Sequence, residues 1–550
     1  MQRESPYPPM GPDGSVQQQQ PYPPPNAGNN GYYNQAPPFQ QQQQQQPYMH
    51  SQNYAQPPPQ QQQHQAQYYN NSGGGNGKWQ QQWSQDYGNK TEKFDAMKPK
   101  WNDLIFALLF VAQFFGFVAI SVIALRALGA SNGGTELGQS GGTSITLDST
   151  TAYLLSIIAG TALVLSILLL MIVRAFTKII LEITLLLSVL LSVGYAIYLW
   201  IIKYWSGAII FTIFAVISVL AYFPMRRRIP FSRELLLFVL KIAKHHPSTY
   251  VIALIGTCVQ TAYSVYWSFA VIAIYQKWNP DAAGASTSGG NPSNATVIGL
   301  VIYSLFSFYW TSQFIVNYFL VIEAGIFGTY YFQGPTGKHV AWGAFKRAST
   351  YSMGSIAFGS LIVAILDLIR AGLQILQQYE AGQGDTIGAA LACIAQCCIG
   401  CITWAVEFFN RYAYIEIALY GKSYLKAAKD TWNLFKDRGI DALINDCLVN
   451  NIWTFGSYAI GGLCTLFAFL YLTYANPSYV QNNDSVRAIV MLYAFLIGFL
   501  ISHTLGYGAL SSGVSTIFVG LAEDPARLAE LDPPLFNRIQ QTYPRVVTSV

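Results

Sequence analysis

The sequence predicts an all-α polytopic membrane protein with about ten transmembrane helices and a disordered N-terminal tail. Composition is the first reason: the 550-residue chain is 52% hydrophobic and 15% aromatic yet only 10% charged, where soluble domains carry roughly 25% charge. The second is a sharp change of regime. Residues 1–97 are dominated by Gln, Pro, Tyr, Asn and Gly and hold almost no Leu, Ile or Val, too little apolar surface to offset ordering entropy. From Trp101 onward, long apolar runs alternate with short polar breaks, as expected of helices that each cross ~30 Å of hydrocarbon.

Runs long enough to span fall at 102–125, 152–173, 179–202, 206–223, 249–274, 297–322, 353–376, 386–406, 452–474 and 488–519. The last is long enough to tilt or to break near Gly506 and Gly508. With the first apolar run lying behind a hydrophilic tail, no cleavable signal peptide is expected, and the first span acts as its own insertion signal. The organisation follows: 1–97 a cytosolic tail, 98–519 a ten-helix transmembrane domain, and 520–550 a cytosolic C-terminal tail.

Orientation rests on charge, because Lys and Arg resist translocation. Taking the N-terminus as cytosolic, the tail, 174–178, 224–248, 323–352, 407–451 and the C-terminal region hold 26 of the 31 basic residues. The outer segments hold Lys203, Lys277 and Arg487, while Arg126 and Arg370 lie in or at the ends of spans. Both termini are therefore expected in the cytosol. The glycosylation sequons at Asn294 and Asn483 fall in segments assigned to the outside by the same rule.

The seven cysteines, Cys258, Cys393, Cys397, Cys398, Cys401, Cys447 and Cys464, lie in or beside spans, which argues against a disulfide framework. Cys393, Cys397, Cys398 and Cys401 contain a CxxC, but four thiolates on one helix cannot surround a tetrahedral metal. Small-residue packing is the favoured reading, with palmitoylation of the inner cysteines second. No metal or cofactor is expected. No P-loop, GxSxG or HExxH is present, and no segment between spans is large enough for a catalytic domain, so an enzyme is disfavoured.

Polar side chains within spans are costly and tend to face the bundle interior or a water-filled route. Ser307, Trp310, Gln313 and Asn317 recur at three- and four-residue steps on one helical face; Thr257, Gln260, Tyr263 or Ser264, and Trp267 do the same. His503, Tyr507, Ser511 and Ser515 follow at four-residue steps. Aromatic faces among neutral hydrogen-bonding groups suit an ammonium solute, at about 0.5–2 kcal/mol per ring contact, while interhelical packing is the plainer alternative. Asp367 and Arg370 are placed to form an ion pair, and Glu407 and Glu323, at the inner ends of spans, are candidates to hold a cation or proton. The candidate substrate-lining set is Trp267, Trp310, Gln313, Asn317, Glu407, His503 and Tyr507.

Past the eighth span, Lys422, Lys426, Lys429 and Lys436 share one helical face and Tyr424, Ala428, Trp432 and Phe435 the other, which predicts an amphipathic helix on anionic inner-leaflet lipids. Arg226, Arg227 and Arg228 are expected to do the same and not to bind nucleic acid. Proline-rich stretches of the tail such as Pro57-Pro58-Pro59 offer sites for cytosolic partners, though a linker has the same composition.

The segment Asn410-Arg411-Tyr412-Ala413-Tyr414-Ile415-Glu416-Ile417-Ala418-Leu419-Tyr420-Gly421-Lys422, followed by Ala427-Ala428-Lys429, resembles the signature of the choline transporter-like family. Gly354 through Ile362, Ser515 through Val519, and Glu523-Asp524 extend the match. The Gln/Pro/Tyr-rich tail and the ending Ile539 through Pro544 are similar to the fungal, pH-nine-sensitive branch of that family. Within the resemblance, Ser515 stands where many relatives have Asp, and Glu416 where an apolar residue is usual. What it implies is a ten-span plasma-membrane protein with both termini inside, mediating facilitated uptake of choline or related amines, with proton exchange as candidate coupling. Two other classes compete: a membrane organiser that recruits partners through its tail, and a lipid-handling channel.

Overall fold

The structure is a computed structural model and describes residues 100–131, 149–278, 294–335, 339–383, 386–475 and 484–542. The tail 1–97, residues 132–148 between the first two expected spans, and Asn483 lie outside those residues. Among them, every element is helical: α1 (Leu104–Ser131), α2 (Ser149–Ile201), α3 (Trp205–His245), α4 (Ser248–Trp278), α5 (Asn294–Gln333), α6 (Val340–Ser349), α7 (Met353–Gly382), α8 (Thr386–Tyr420), α9 (Tyr424–Ala475), α10 (Asp484–His503), a π-helical segment (Thr504–Gly508), α11 (Ala509–Glu523), α12 (Pro525–Leu531) and α13 (Pro533–Thr542).

Nine helices among the described residues are long and apolar enough to cross a membrane. The expectation of about ten differs at α2, where the second and third expected spans form a single 53-residue helix. Straight, it would run ~80 Å at 1.5 Å per residue, more than twice the hydrocarbon thickness. Its only non-helical residue, Phe176 (φ −121°, ψ 32°), lies between Arg174 and Lys178 in the expected inner loop. The corner divides α2 into arms at 149–175 and 177–201, each long enough to span.

Other expected connections are also helical. α3 continues past the end of the fourth expected span through Pro224 and Pro230, each of which removes a ladder hydrogen bond. α5 extends to Gln333, so Glu323 is buried within a helix that continues past the sixth expected span. The last expected span is continuous but changes, where glycines recur, to the π segment joining α10 to α11. The segment 520–550 is not a free tail throughout: Leu528, Leu535, Phe536 and Ile539 of α12 and α13 are buried in the main core. Lys241 pairs with Asp532 at 2.7 Å and Arg538 with Glu234 at 3.1 Å, fastening both short helices to α3.

The expected amphipathic helix at 422–436 is corrected in its detail. From Tyr424 on it is the first part of α9, with Trp432 outward at 57% exposure. Lys422 does not lie free toward headgroups, because its ammonium is 2.7 Å from both Glu416 Oε2 and Asp430 Oδ2. Nor do Asp367 and Arg370 pair: Asp367 Oδ2 accepts from Gln313 Nε2 at 3.4 Å, while Arg370 lies against Gly400 of α8. Cys397, Cys398 and Cys401 are exposed on α8, where small-residue packing was expected, because that helix turns this face to the perimeter. Large exposed side chains such as Ile105, Val164, Leu220 and Ile387 share the perimeter, as lipid-facing surfaces require.

Three apolar clusters hold the bundle. The largest centres on α3, α5, α8, α9 and α11 and includes fully buried Phe327, Tyr331, Tyr412, Tyr414, Trp453 and Phe518. Leu154 and Ile158 of α2 pack with Ile460, Cys464, Val490 and Ala494 of α9 and α10. Phe117 and Ala124 of α1 meet Ala270, Ala273 and Ile274 of α4.

The ends of α1, α7, α8 and α9 meet at one face. Asn102 Nδ2 donates to Gly421 O at 2.6 Å, and Asp103 Oδ2 accepts from Ser355 Oγ at 2.7 Å and from Tyr424 N at 2.8 Å. Gly354 permits this approach, since a Cβ there would lie 2.3 Å from Asp103 O and 2.5 Å from Asn102 O.

Gly354→Val should therefore cost about 1–3 kcal/mol through forced displacement of α1, read as a lower Tm of the purified protein. Gly372→Ala, which meets nothing within 4 Å, should leave Tm unchanged or slightly raised. At the same junction, burial opposes the charge of Lys422, but the carboxylates of Glu416 and Asp430 outweigh it and raise its pKa. A raised ammonium pKa stabilises fully below the unfolded value of about 10.4 and is lost as pH climbs through the folded value. Lys422→Met should accordingly melt below wild type at pH 8, with the gap closing above about pH 10.4.

Candidate functional site

Arg411, inside the family-like segment of α8, is the cation around which the middle of the bundle is arranged. Its guanidinium donates to Ser511 Oγ of α11 and to the Tyr507 hydroxyl of the π segment, and its Cζ lies 5.2 Å from the Tyr507 ring centroid. Asp446 of α9 lines the same cleft. Its Oδ2 accepts from the Tyr412 hydroxyl at 3.0 Å and its Oδ1 from Ser515 Oγ at 3.1 Å. The Ser515 hydroxyl thus meets a carboxylate from the neighbouring helix. Charges inside hydrocarbon persist only when their hydrogen-bonding capacity is met, and here neutral hydroxyls meet it, Ser511 and Tyr507 for Arg411 and Tyr412 and Ser515 for Asp446.

The cleft, about 160 Å³ in volume, is lined by Trp404, Glu407, Phe408 and Arg411 of α8, Leu443, Asp446, Cys447 and Asn450 of α9, and Tyr507. Each helix contributes residues at three- and four-residue steps, the spacing that places side chains on one helical face. Trp404 and Phe408 stack with ring centroids 6.1 Å apart. Glu407 Oε1 accepts from Gln313 Nε2 of α5 at 3.0 Å. Two carboxylates and one guanidinium face the space together with three aromatic rings. With all three ionised, the lining is one charge short of neutral, and a small cation balances it.

An aromatic ladder leads to the cleft along α10. Phe495, Phe499, His503 and Tyr507 have successive centroids 6.1, 5.5 and 4.9 Å apart. The π segment places Tyr507 at the end of the ladder and over Arg411; π segments interrupt α-helices most often at functional sites. Gly506 allows Trp453 to pack on this turn, since a Cβ there would lie 2.4 Å from the indole. Elsewhere in the core, Glu323 Oε2 accepts from Ser512 Oγ at 2.8 Å.

Of the sequence-predicted residues, Glu407 and Tyr507 line the cleft, Gln313 holds Glu407, and the His503 ring lies tilted against Tyr507. Trp310 Nε1 donates to Ala357 O at 3.0 Å and Asn317 Nδ2 to Ser360 Oγ at 3.0 Å, so both bind α5 to α7 outside the cleft. Trp267 Nε1 donates to Ser304 O at 2.9 Å, joining α4 to α5. The rest of that stripe is also interhelical, with Thr257 bonded to Thr504 at 2.7 Å and Gln260 to Ser312 at 3.1 Å. Asn294 opens α5. Sequence reasoning missed Arg411, Asp446 and Asn450, because 407–451 read as an inner connection, and passed over Trp404 near the inner end of the eighth expected span. The repeated spacing of Trp404, Glu407, Phe408 and Arg411 was the signal available.

Fold and cleft together define a multi-pass membrane protein with a charged, aromatic-lined site between its helices. Residues 209–526 match the family model described as plasma-membrane choline transporter. The chain is 52% identical over 462 residues to Protein PNS1 of Cryptococcus neoformans var. neoformans serotype D, covering 82% of this chain and 83% of that protein. It is 48% identical over 477 residues to Protein PNS1 of Mycosarcoma maydis, covering 86% and 90%, and 38% identical over 461 residues to that of Yarrowia lipolytica, covering 82% and 80%. The chain belongs to the choline transporter-like family, in its fungal PNS1 branch.

Asp446→Ala should leave the buried Tyr412 hydroxyl without its acceptor and remove the acceptor of Ser515, at a cost of about 1–3 kcal/mol, seen as a lower Tm and reduced yield of folded protein. Asp446→Asn, which keeps an acceptor for Tyr412 and Ser515, should cost less in the same assay.

Proposed function

We propose that the protein is a plasma-membrane transporter of a small organic cation, choline or a related amine, working by alternating access at the α8–α9 cleft. The observation that carries this reading is the lining itself: Glu407 and Asp446 against a single Arg411, among Trp404, Phe408 and Tyr507. Ring faces attract a quaternary ammonium at about 0.5–2 kcal/mol each, and the surplus carboxylate supplies its counter-charge. The volume of about 160 Å³ lies below the roughly 300–1,000 Å³ of sites for drug-sized ligands, which favours a solute of few heavy atoms.

Glu407 is the coupling carboxylate in this reading. Held by a neutral amide and not by a cation, it takes a proton when the solute leaves and releases it when the solute returns. The π segment is the hinge, since its irregular turn bears Tyr507 and joins the ladder of α10 to α11. Both termini face the cytosol, with Asn294 and Asn483 outside as acceptors for glycosylation.

The test is uptake of radiolabelled choline into proteoliposomes of the purified protein, with and without an imposed pH gradient. Saturable uptake that follows the gradient is expected. Trp404→Ala should weaken apparent affinity roughly two- to thirtyfold, the equivalent of one ring contact, and Glu407→Gln should abolish the gradient response. No uptake above empty liposomes would remove choline as the solute, and unaltered transport in both variants would place the route elsewhere.

A further inference from the structure

A second cleft of about 300 Å³ opens where the ends of α5, α7 and α8 meet α6. Its lining includes Lys100, Gln333, Arg347, Tyr351 and the backbone end of α8 through Gly421, and contains no Asp or Glu. Arg347 forms no ion pair among the described residues and lies along Gly325 and Gly343, its Nη2 3.5 Å from where a Cβ of Gly325 would stand. Lys100 likewise forms none among them. By contrast, Lys422 at the same face is saturated by Glu416 and Asp430.

The surroundings locate this charge at a membrane boundary. α6 is a ten-residue helix between two spanning helices, turning Ala344 and Ala348 inward. It turns Trp342 outward at 66% exposure and Phe345 at 40%, the two rings stacked with centroids 5.3 Å apart. An outward Trp–Phe pair beside Lys346 and Arg347 is the arrangement of a helix lying in the interface, aromatic rings among acyl chains and basic groups at headgroup level.

We propose that this cleft binds an anionic phospholipid whose headgroup is a phosphomonoester, with Lys100 and Arg347 on the phosphate and Trp342 and Phe345 against its acyl chains. A phosphomonoester carries up to two negative charges near neutral pH, matching the two cations, and Arg presents paired N–H groups suited to its oxygens. The site is separate from the α8–α9 cleft and does not depend on what passes through it. Its floor is the end of α8, whose Tyr420 donates to Glu523 of α11, so the lipid braces α8 where it meets α5 and α6.

The purified full-length protein in neutral detergent would be titrated with dioctanoyl phosphatidate, dioctanoyl phosphatidylcholine and glycerol 3-phosphate, with Tm as readout. Saturable stabilisation by phosphatidate alone is expected, with apparent affinity weakened about tenfold or more in Arg347→Gln and Lys100→Gln, as for loss of one charge-assisted contact. Trp342→Ala should weaken phosphatidate binding while leaving the Tm without lipid unchanged. Equal stabilisation by glycerol 3-phosphate would replace the lipid with a soluble phosphate and overturn the proposal. Equal stabilisation by phosphatidylcholine, or undiminished phosphatidate binding in Arg347→Gln and Lys100→Gln, would overturn it as well. Should Arg347→Gln fail to fold, Lys100→Gln and Arg347→Lys carry the same comparison.

Discussion

A guanidinium inside a bundle of membrane helices has to be satisfied by the protein, and the arrangement of α8, α9, α11 and the π segment follows from satisfying Arg411. Its donors go to Ser511 and Tyr507, while the facing carboxylate of Asp446 is held by Tyr412 and Ser515. Replacing either charge leaves the other exposed to low dielectric, so the two helices that carry them are tied in register more tightly than apolar packing alone requires. The cleft is the space this network leaves open, and its charge balance is set by the same groups.

The remainder of the bundle reads as scaffolding for that centre. α5 reaches into it through Gln313, α4 supports the π segment through Thr257, and the aromatic ladder of α10 ends on Tyr507. At one face, Asn102, Asp103, Ser355 and Tyr424 lock four helix ends together by short polar bonds. In the proposed alternating-access reading, movement is concentrated where the helix is already irregular, at Thr504–Gly508.

Much of the fold was legible because crossing hydrocarbon demands long apolar runs, and these are visible without tertiary information. The irregular turn near Gly506 and Gly508 was also readable, since closely spaced glycines weaken a helix. Less legible was where helices extend beyond the hydrocarbon: the corner at Phe176, the continuation of α3 through Pro224 and Pro230, and the long α5 and α9 are set by packing against neighbours, not by hydropathy. Within the site, Glu407 and Tyr507 stood out as costly groups in apolar runs. Trp310, Asn317 and Trp267 carried the same signature, yet their donors are spent on carbonyl and hydroxyl groups of adjacent helices, and one-dimensional spacing cannot separate a lining residue from an interhelical bond. Arg411 and Asp446 were hidden by their position in a segment rich in basic residues, where charge reads as cytosolic.

The most direct test of the central claim is an electron cryomicroscopy map of the purified protein determined with choline present at saturation, compared with a map determined without it. The account predicts added density in the α8–α9 cleft, within about 6 Å of the Trp404 or Tyr507 ring, the range of a cation–π contact, with Glu407 or Asp446 beside it. Choline density at another place in the bundle, with this cleft unchanged between the two maps, would contradict it.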